Sequence, residues 1–258
     1  MTFVDAKERF SSRVADYIRY RPGYPSGVRD LLRAECNLRS GHVIADVGSG
    51  TGFLSELFLK NGNRVFGIEP NEAMRQAGEE YLASFDGFVS VDGSAESTTL
   101  DDACADFVVC GQAFHWFEPA ATRREFARIL KPDGWVVIVW NERLTDTTPF
   151  LRDYEALLRD FGTDYSKVNE SYPREEQMRT FFAANAFRSY ELPNFQDFDF
   201  EGLAGRVRSS SYMPAADQPR FAAMMAELRR IFEAHQQNSR VRMEYNTRLY
   251  FGHLRVSP

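Results

Sequence analysis

Between residues 43 and 140, wholly apolar runs alternate with segments in which apolar side chains return every three to four positions. Val43 to Val47 reads as a short buried strand, and Leu54, Leu57 and Phe58 then mark one face of a helix. The exchange repeats with a strand over 64–69, a helix over 71–83, strands over 88–91 and 105–111, and a helix over 118–130. It ends in the run "WVVIVW" at 135–140. A run apolar at every position needs cover on both faces, which parallel strands receive from crossover helices. The pattern therefore predicts five buried parallel strands.

The flanks are patterned differently. Phe10, Val14, Tyr17 and Ile18 recur at helical spacing before "RYRPGYP" imposes a rigid turn. After Asn141 come charged helical segments, a strand over 187–192, and a helix carrying Phe221, Met224, Met225, Leu228, Ile231 and Phe232. Val241, Met243, Tyr245, Leu249 and Phe251 then alternate with Arg242, Glu244, Asn246 and Arg248, as a half-polar strand at an antiparallel sheet edge would. No repeat or low-complexity linker divides the chain. One domain is expected, with an N-terminal helical lid (1–39), a ligand-binding core (40–142), helical additions with a strand (143–240), and a terminal strand (241–258).

Composition narrows the partner. A formal charge of -6, with no Lys/Arg run longer than two, excludes the basic face that nucleic acid requires. A small-molecule substrate is expected instead. Cys36, Cys104 and Cys110 lack metal-ligand spacing, and His42, His235 and His253 are scattered, so no metal is expected. The cysteines read as reduced thiols. "MTFVDAKERFSS" has no apolar leader, and no segment reaches the roughly 18 apolar residues of a membrane span. The expectation is a cytoplasmic protein with no membrane partner; its oligomeric state has no signature.

Polar residues gather where the parallel strands end. The first strand delivers Asp46 and "GSGTG", the second Glu69, the third "DGSAE", the fourth Gly111 and Gln112, and the fifth Asn141. Open parallel sheets bind ligands at such ends, where strand order reverses. A dinucleotide fingerprint would place its third glycine at position 53, which is Phe53; the glycines fall at Gly48, Gly50 and Gly52. Glu69, seventeen residues beyond Gly52, is placed to accept both hydroxyls of a ribose. An adenosine-type ligand without a pyrophosphate satisfies both facts.

"VIADVGSGTG", "GIEPN", "GSAE", "ADFVVCGQAFHWFEP" and "LKPDGWVVIVWNER" together resemble the successive motifs of class I S-adenosylmethionine-dependent methyltransferases, in that family's order. "YIRYRPGYP" and "EYNTRLYFGHL" are similar to its small-molecule branch, which includes trans-aconitate methyltransferases. The resemblance implies a Rossmann-like α/β fold: a mostly parallel seven-stranded sheet, helices on both faces, an antiparallel C-terminal edge strand and a helical lid or insertion. It also implies S-adenosylmethionine as cofactor. Asp46 and the turn of Gly48, Ser49, Gly50 and Gly52 would pass under its methionine part, and Glu69 would hold its ribose. Pro70, Asn71 and Met74 would flank the adenine, Ala95 and Glu96 would close over it, and Gln112 would sit beside the sulfonium. Ser94 stands where the family often carries an acidic residue.

Several residues keep two readings. Asp46 is either a cofactor residue or a helix N-cap. His115 and Trp116 in "AFHWF" either line the acceptor site or pack as aromatics, and His115 in such a site acts either as a general base or by position. Tyr20 and Arg21 form a lid or merely border a turn. Arg206 and Arg208 either bind an acidic substrate or face water. The favoured function is methyl transfer to a carboxylate or hydroxyl oxygen of a small molecule; the alternative is a noncatalytic protein that binds the same cofactor.

Overall fold

The computed structural model describes residues 19–163, 165, 175–182, 187–210 and 212–254; the helix expected around Phe10 to Ile18 lies outside them. Helix α1 (Gly27–Cys36) buries Val28, Leu32 and Cys36 along one stripe. It stops where Asn37 turns left-handed at φ 54° and its N–H closes on the Leu32 carbonyl. Strands β1 (Val43–Val47), β2 (Arg64–Ile68), β3 (Phe88–Val91), β4 (Ala105–Gly111) and β5 (Leu130–Arg143) follow, joined in parallel. Their crossovers carry α2 (Phe53–Leu59), α3 (Glu72–Tyr81) and α4 (Pro119–Ile129). Side chains start two of these helices: the Asn71 carbonyl oxygen accepts from Met74 N, and the Glu118 carboxylate accepts from Ala120 N and Ala121 N.

Beyond β5 lie α5 (Pro149–Phe161), α6 (Glu175–Phe182), β6 (Phe187–Phe198), α7 (Phe200–Arg208), α8 (Phe221–His235) and β7 (Val241–Gly252). The seven strands are ordered β3-β2-β1-β4-β5-β7-β6, mostly parallel with one antiparallel edge. Order reverses between β1 and β4, where Asp46 is registered with both Gly67 and Val109. The carboxyl ends of β1, β2 and β4 therefore converge on one crevice.

The terminal strand stands one place in from the margin expected of it, between β5 and β6. Its last four residues, Leu249 to Gly252, are all buried, as an interior strand requires, whereas β6 is largely exposed and forms the edge. Strand β6 also runs six residues past the expected stop at 192, through Pro193. A proline lacks the N–H of a ladder, and an edge strand tolerates that.

The chain divides into two compact units. In one (Gly23–Asn141, Pro173–Leu192 and Thr247–Pro258), successive strand residues feed opposite clusters: Ile44, Phe107 and Val137 join Leu32, Leu54 and Phe58, while Ala45, Val108 and Val136 join Phe126, Ile129 and Phe181. That alternation explains why these strands are apolar throughout. In the other (Met1–Pro22, Glu142–Tyr172 and Pro193–Asn246), Leu151, Tyr154 and Leu158 of α5 pack with Leu203 and Val207 of α7 and with Met224, Leu228 and Ile231 of α8. Among the described residues, no helix is long and apolar enough to cross a membrane.

Candidate active site

The loop after β1 is built on left-handed backbone: Gly48, Gly50 and Gly52 have φ of 68°, 56° and 88°. Two of these glycines are also walled in. A Cβ on Gly48 would stand 2.6 Å from Ala113 Cβ, and one on Gly52 would stand 2.5 Å from Leu82 Cδ1. A Cβ on Gly50 would meet only Met74 Cε, at 3.5 Å. Backbone bonds hold the loop to β2: Gly48 N and Ser49 N both donate to the Ile68 carbonyl, at 2.8 and 3.1 Å.

Glu69, just past β2, is clamped by two amides. Its Oε2 accepts from Gly50 N at 3.0 Å and its Oε1 accepts from Asn71 N at 2.8 Å. The carboxylate thus joins the glycine loop to the start of α3. Pro70 beside it is exposed, and Met74 is buried beneath Gly50.

Asp46 is fully buried on β1. Its Oδ2 accepts from Ser55 Oγ of α2 at 2.6 Å, while Oδ1 has no partner. The N-cap reading is overturned, because Gly52 holds the cap position of α2 and Asp46 bonds a side chain inside that helix. Burial, with a smaller push from the Glu69 charge, raises its pKa from 3.8 to about 7. An orphaned acceptor under a glycine cradle fits a ligand that presents a donor there, and the ammonium of the methionine moiety is one.

A stability signature follows. The unfolded chain ionises this carboxyl near pH 3.8, while the folded one keeps its proton to about pH 7, so its contribution is complete below 3.8 and is lost as pH rises to about 7. Asp46→Asn mimics the protonated form. Its melting temperature relative to the parent is expected to rise by about 5 to 10 °C between pH 5 and pH 8, read by scanning calorimetry without ligand. A pH-independent difference would show that Asp46 is ionised in the fold.

The remaining strand ends are interlocked. Ser94 and Ser97 exchange backbone bonds around buried Ala95, and Glu96 Oε1 accepts from Glu118 N at 2.9 Å, joining this turn to α4. Gln112 is left-handed at φ 57°; its Nε2 donates to the Asn141 carbonyl at 3.3 Å, and its Oε1 accepts from Asn141 N at 2.9 Å. Asn141 Nδ2 reaches the Gly23 carbonyl at 3.2 Å, and its Oδ1 accepts from Thr247 Oγ1 at 2.6 Å. Tyr24 leaves Gly111 no room for a side chain: its hydroxyl would stand 2.2 Å from a Cβ there. In the sequence Asn141 shows only as a polar stop to "WVVIVW"; Tyr24 and Thr247 lie inside "YIRYRPGYP" and "EYNTRLYFGHL", where no role is legible for either one.

"AFHWF" separates into two pairs. Phe114 packs edge-on to Phe181 at 4.9 Å and Phe117 lies 6.4 Å from Phe126, both toward the core. His115 and Trp116 are solvent-exposed, and the His115 ring lies 4.4 Å from Trp116 and 5.0 Å from Trp140. The surrounding protein pushes the His115 pKa down to about 4 by desolvation. Solvent at the ring face tempers that shift without reversing it, so the imidazole is neutral at pH 7. Among the described residues, no carboxylate bonds to it.

The second unit holds the other predicted residues. The Tyr20 ring lies against α7, only 2.0 Å from where a Cβ on Gly205 would stand. Arg21 Nη2 donates to the Ser209 carbonyl at 3.2 Å. Arg208 is half-buried; Arg206 is buried, which overturns the water-facing reading for that residue.

Residues 45–138 match the family model described as "Methyltransferase domain". The match lies in the unit that carries the glycine loop, Glu69 and Asp46. The glycine cradle, Glu69 and the orphaned Asp46 acceptor fit S-adenosylmethionine, the cofactor that the resemblance implies. An uncharacterised methyltransferase-like protein of Schizosaccharomyces pombe is 34% identical over 156 residues, 60% of this chain and 59% of that one. An uncharacterised methyltransferase of Mycobacterium tuberculosis is 35% identical over 139 residues, 54% of each chain. The chain thus spans between half and three fifths of the length of these relatives. A solved structure from Anaeromyxobacter dehalogenans, provisionally called a type II methyltransferase, shares the fold with a TM-score of 0.66 at 19% identity, covering 91% of this chain and 98% of that one. The YcgJ protein of Bacillus subtilis does so with a TM-score of 0.55 at 20% identity, covering 90% and 99%.

Proposed function

We propose that the chain is an active methyltransferase that methylates a carboxylate oxygen of a small organic acid, as the resemblance to trans-aconitate methyltransferases suggests. The observation that carries the acceptor class is the state of His115. Its ring is tilted against Trp116 and edge-on to Trp140, no carboxylate among the described residues orients or charges it, and the surrounding protein lowers its pKa, so it is ill-suited to take a proton from a hydroxyl or amine. A carboxylate arrives ionised and needs no base. Bound S-adenosylmethionine supplies a methyl group already activated on a sulfonium.

The protein's own share is then positioning and exclusion of water. Glu69 and the loop 48–52 fix the ligand frame, Asp46 offers a buried acceptor, and His115 with Trp116 presents an aromatic surface to the acceptor. Three free thiols support a reducing, cytoplasmic setting, and the acidic surface supports a small-molecule partner over nucleic acid.

Calorimetry with S-adenosylmethionine, followed by methyl uptake against carboxylic acids, phenols and amines, tests the reading. Turnover is expected on carboxylates, with a rate flat from pH 6 to 8.5 in the parent. His115→Gln should keep that flat shape, with a loss of about ten-fold or less, the mark of a positional role. A rise through pH 6 to 7 that vanishes in His115→Gln would make it the base and favour a hydroxyl or amine acceptor. Cofactor binding without turnover on any class would leave a noncatalytic binding protein.

A further inference from the structure

Two arginines are buried in the unit built on α5, α7 and α8, and they are treated differently. Arg143 pairs with Glu155, whose other oxygen takes Arg159, and it also meets the Tyr165 hydroxyl at 2.7 Å. Arg206 on α7, with 6% of its surface exposed, has no such partner. Its Nη1 donates to Ser210 Oγ at 3.1 Å and the Tyr245 hydroxyl bonds to it, but Nε finds nothing. Among the described residues, no carboxylate forms an ion pair with it.

A guanidinium cannot shed its proton to escape burial. Buried charges in folded proteins are paired or engage a ligand, because neutral hydroxyls soften the penalty without cancelling the charge. The groups around Arg206 are moreover rich in donors. Tyr154 and Tyr212 stand near enough to interact with its charge. Tyr245 is oriented by donating to Gln196 Oε1 at 2.8 Å. One negative charge and several acceptor lone pairs are missing from this arrangement.

We infer that Arg206, with Ser210 and the hydroxyls of Tyr154 and Tyr212, forms a binding site for the carboxylate of a small organic acid. The planar guanidinium fork matches a carboxylate. A single uncompensated positive charge balances a monoanionic group, whereas a phosphate dianion would overcharge a site whose other buried arginine is already paired. The rings of Tyr20, Tyr154, Tyr212 and Tyr245 suit an organic body over a bare inorganic ion. That this acid is the methyl acceptor rests on the function proposed above; the site itself does not.

The test uses the whole chain and a panel of acetate, succinate, citrate, benzoate and decanoate, with inorganic phosphate and methyl benzoate as comparisons. Thermal shift selects a ligand and calorimetry measures it. At least one carboxylate is expected to bind, about 30-fold or more weakly to Arg206→Met and about ten-fold more weakly to Arg206→Lys, which keeps the charge and loses the fork. Free of ligand, Arg206→Met is expected to melt no lower than the parent, since it removes an uncompensated charge; a purely structural arginine would show the opposite. Tyr154→Phe, a milder change, should weaken the same ligand about five-fold. Binding of no carboxylate by the parent, equal binding by Arg206→Met and Tyr154→Phe, or preference for phosphate would overturn the site. S-adenosylmethionine affinity, measured in the same variants, should be unchanged; failure of the parent to bind it would sink the methyltransferase reading and leave the acid site standing.

Discussion

Glu69→Ala is expected to weaken S-adenosylmethionine binding about 100-fold. A hydrogen bond to a charged acceptor contributes about 1.5 to 3 kcal/mol, and a ribose offers two. At about 1.4 kcal/mol per factor of ten, losing both costs about two decades. The same carboxylate holds Gly50 N and Asn71 N, so the substitution also loosens the loop. Those amides are only half-buried, and water can replace their partner, so the fold should survive. Comparing the product S-adenosylhomocysteine with its 2′,3′-dideoxy analogue separates the two effects. The parent should prefer the natural ribose by about two decades, and Glu69→Ala should scarcely distinguish the two ligands. A variant that still discriminates would place the ribose contact on another residue.

How far this site was legible in the sequence depends on the range of each interaction. Strands β1 and β4 end where their apolar runs end, because burial on both faces leaves polar residues only near the tips. Glu69 was legible for the same reason: a lone carboxylate closing an apolar strand, at a fixed distance from the glycine turn. The position of β7 was not. Alternation at 241–246 reads as an edge, and only the unbroken run of Leu249, Tyr250 and Phe251 hinted at an interior strand. Pro193 hid the second half of β6. Arg206 lies in "GRVRSSS", a stretch polar enough to pass for surface, and its burial arises from tyrosines on α5 and β7 that are distant in sequence. Asn141 shows the same limit, since its partners Gly23 and Thr247 lie at opposite ends of the chain.

The glycine turn makes the last prediction, because its three residues share a backbone conformation but not a neighbourhood. Gly48→Ala meets both obstacles: a left-handed φ, costing about 1 to 2 kcal/mol for a residue with a Cβ, and overlap with Ala113 Cβ at 2.6 Å, costing about 1 to 3 kcal/mol more in a packed region. In a unit of this size, 1 kcal/mol lowers the melting temperature by about 2 to 4 °C, so Gly48→Ala should melt about 8 °C or more below the parent. Gly50→Ala has the strain but not the overlap, since only Met74 Cε stands near, at 3.5 Å, and its melting temperature should fall by about 2 to 8 °C. Yet the new methyl group projects from the loop that Glu69 ties to β2, on the side left open. Cofactor affinity in Gly50→Ala should therefore fall about ten-fold or more, out of proportion to its small loss of stability. Gly48 would then be glycine chiefly for the fold, and Gly50 chiefly to let a ligand approach the main chain. If Gly50→Ala binds S-adenosylmethionine as tightly as the parent, the cofactor does not approach the backbone at residue 50, and all three glycines serve conformation alone.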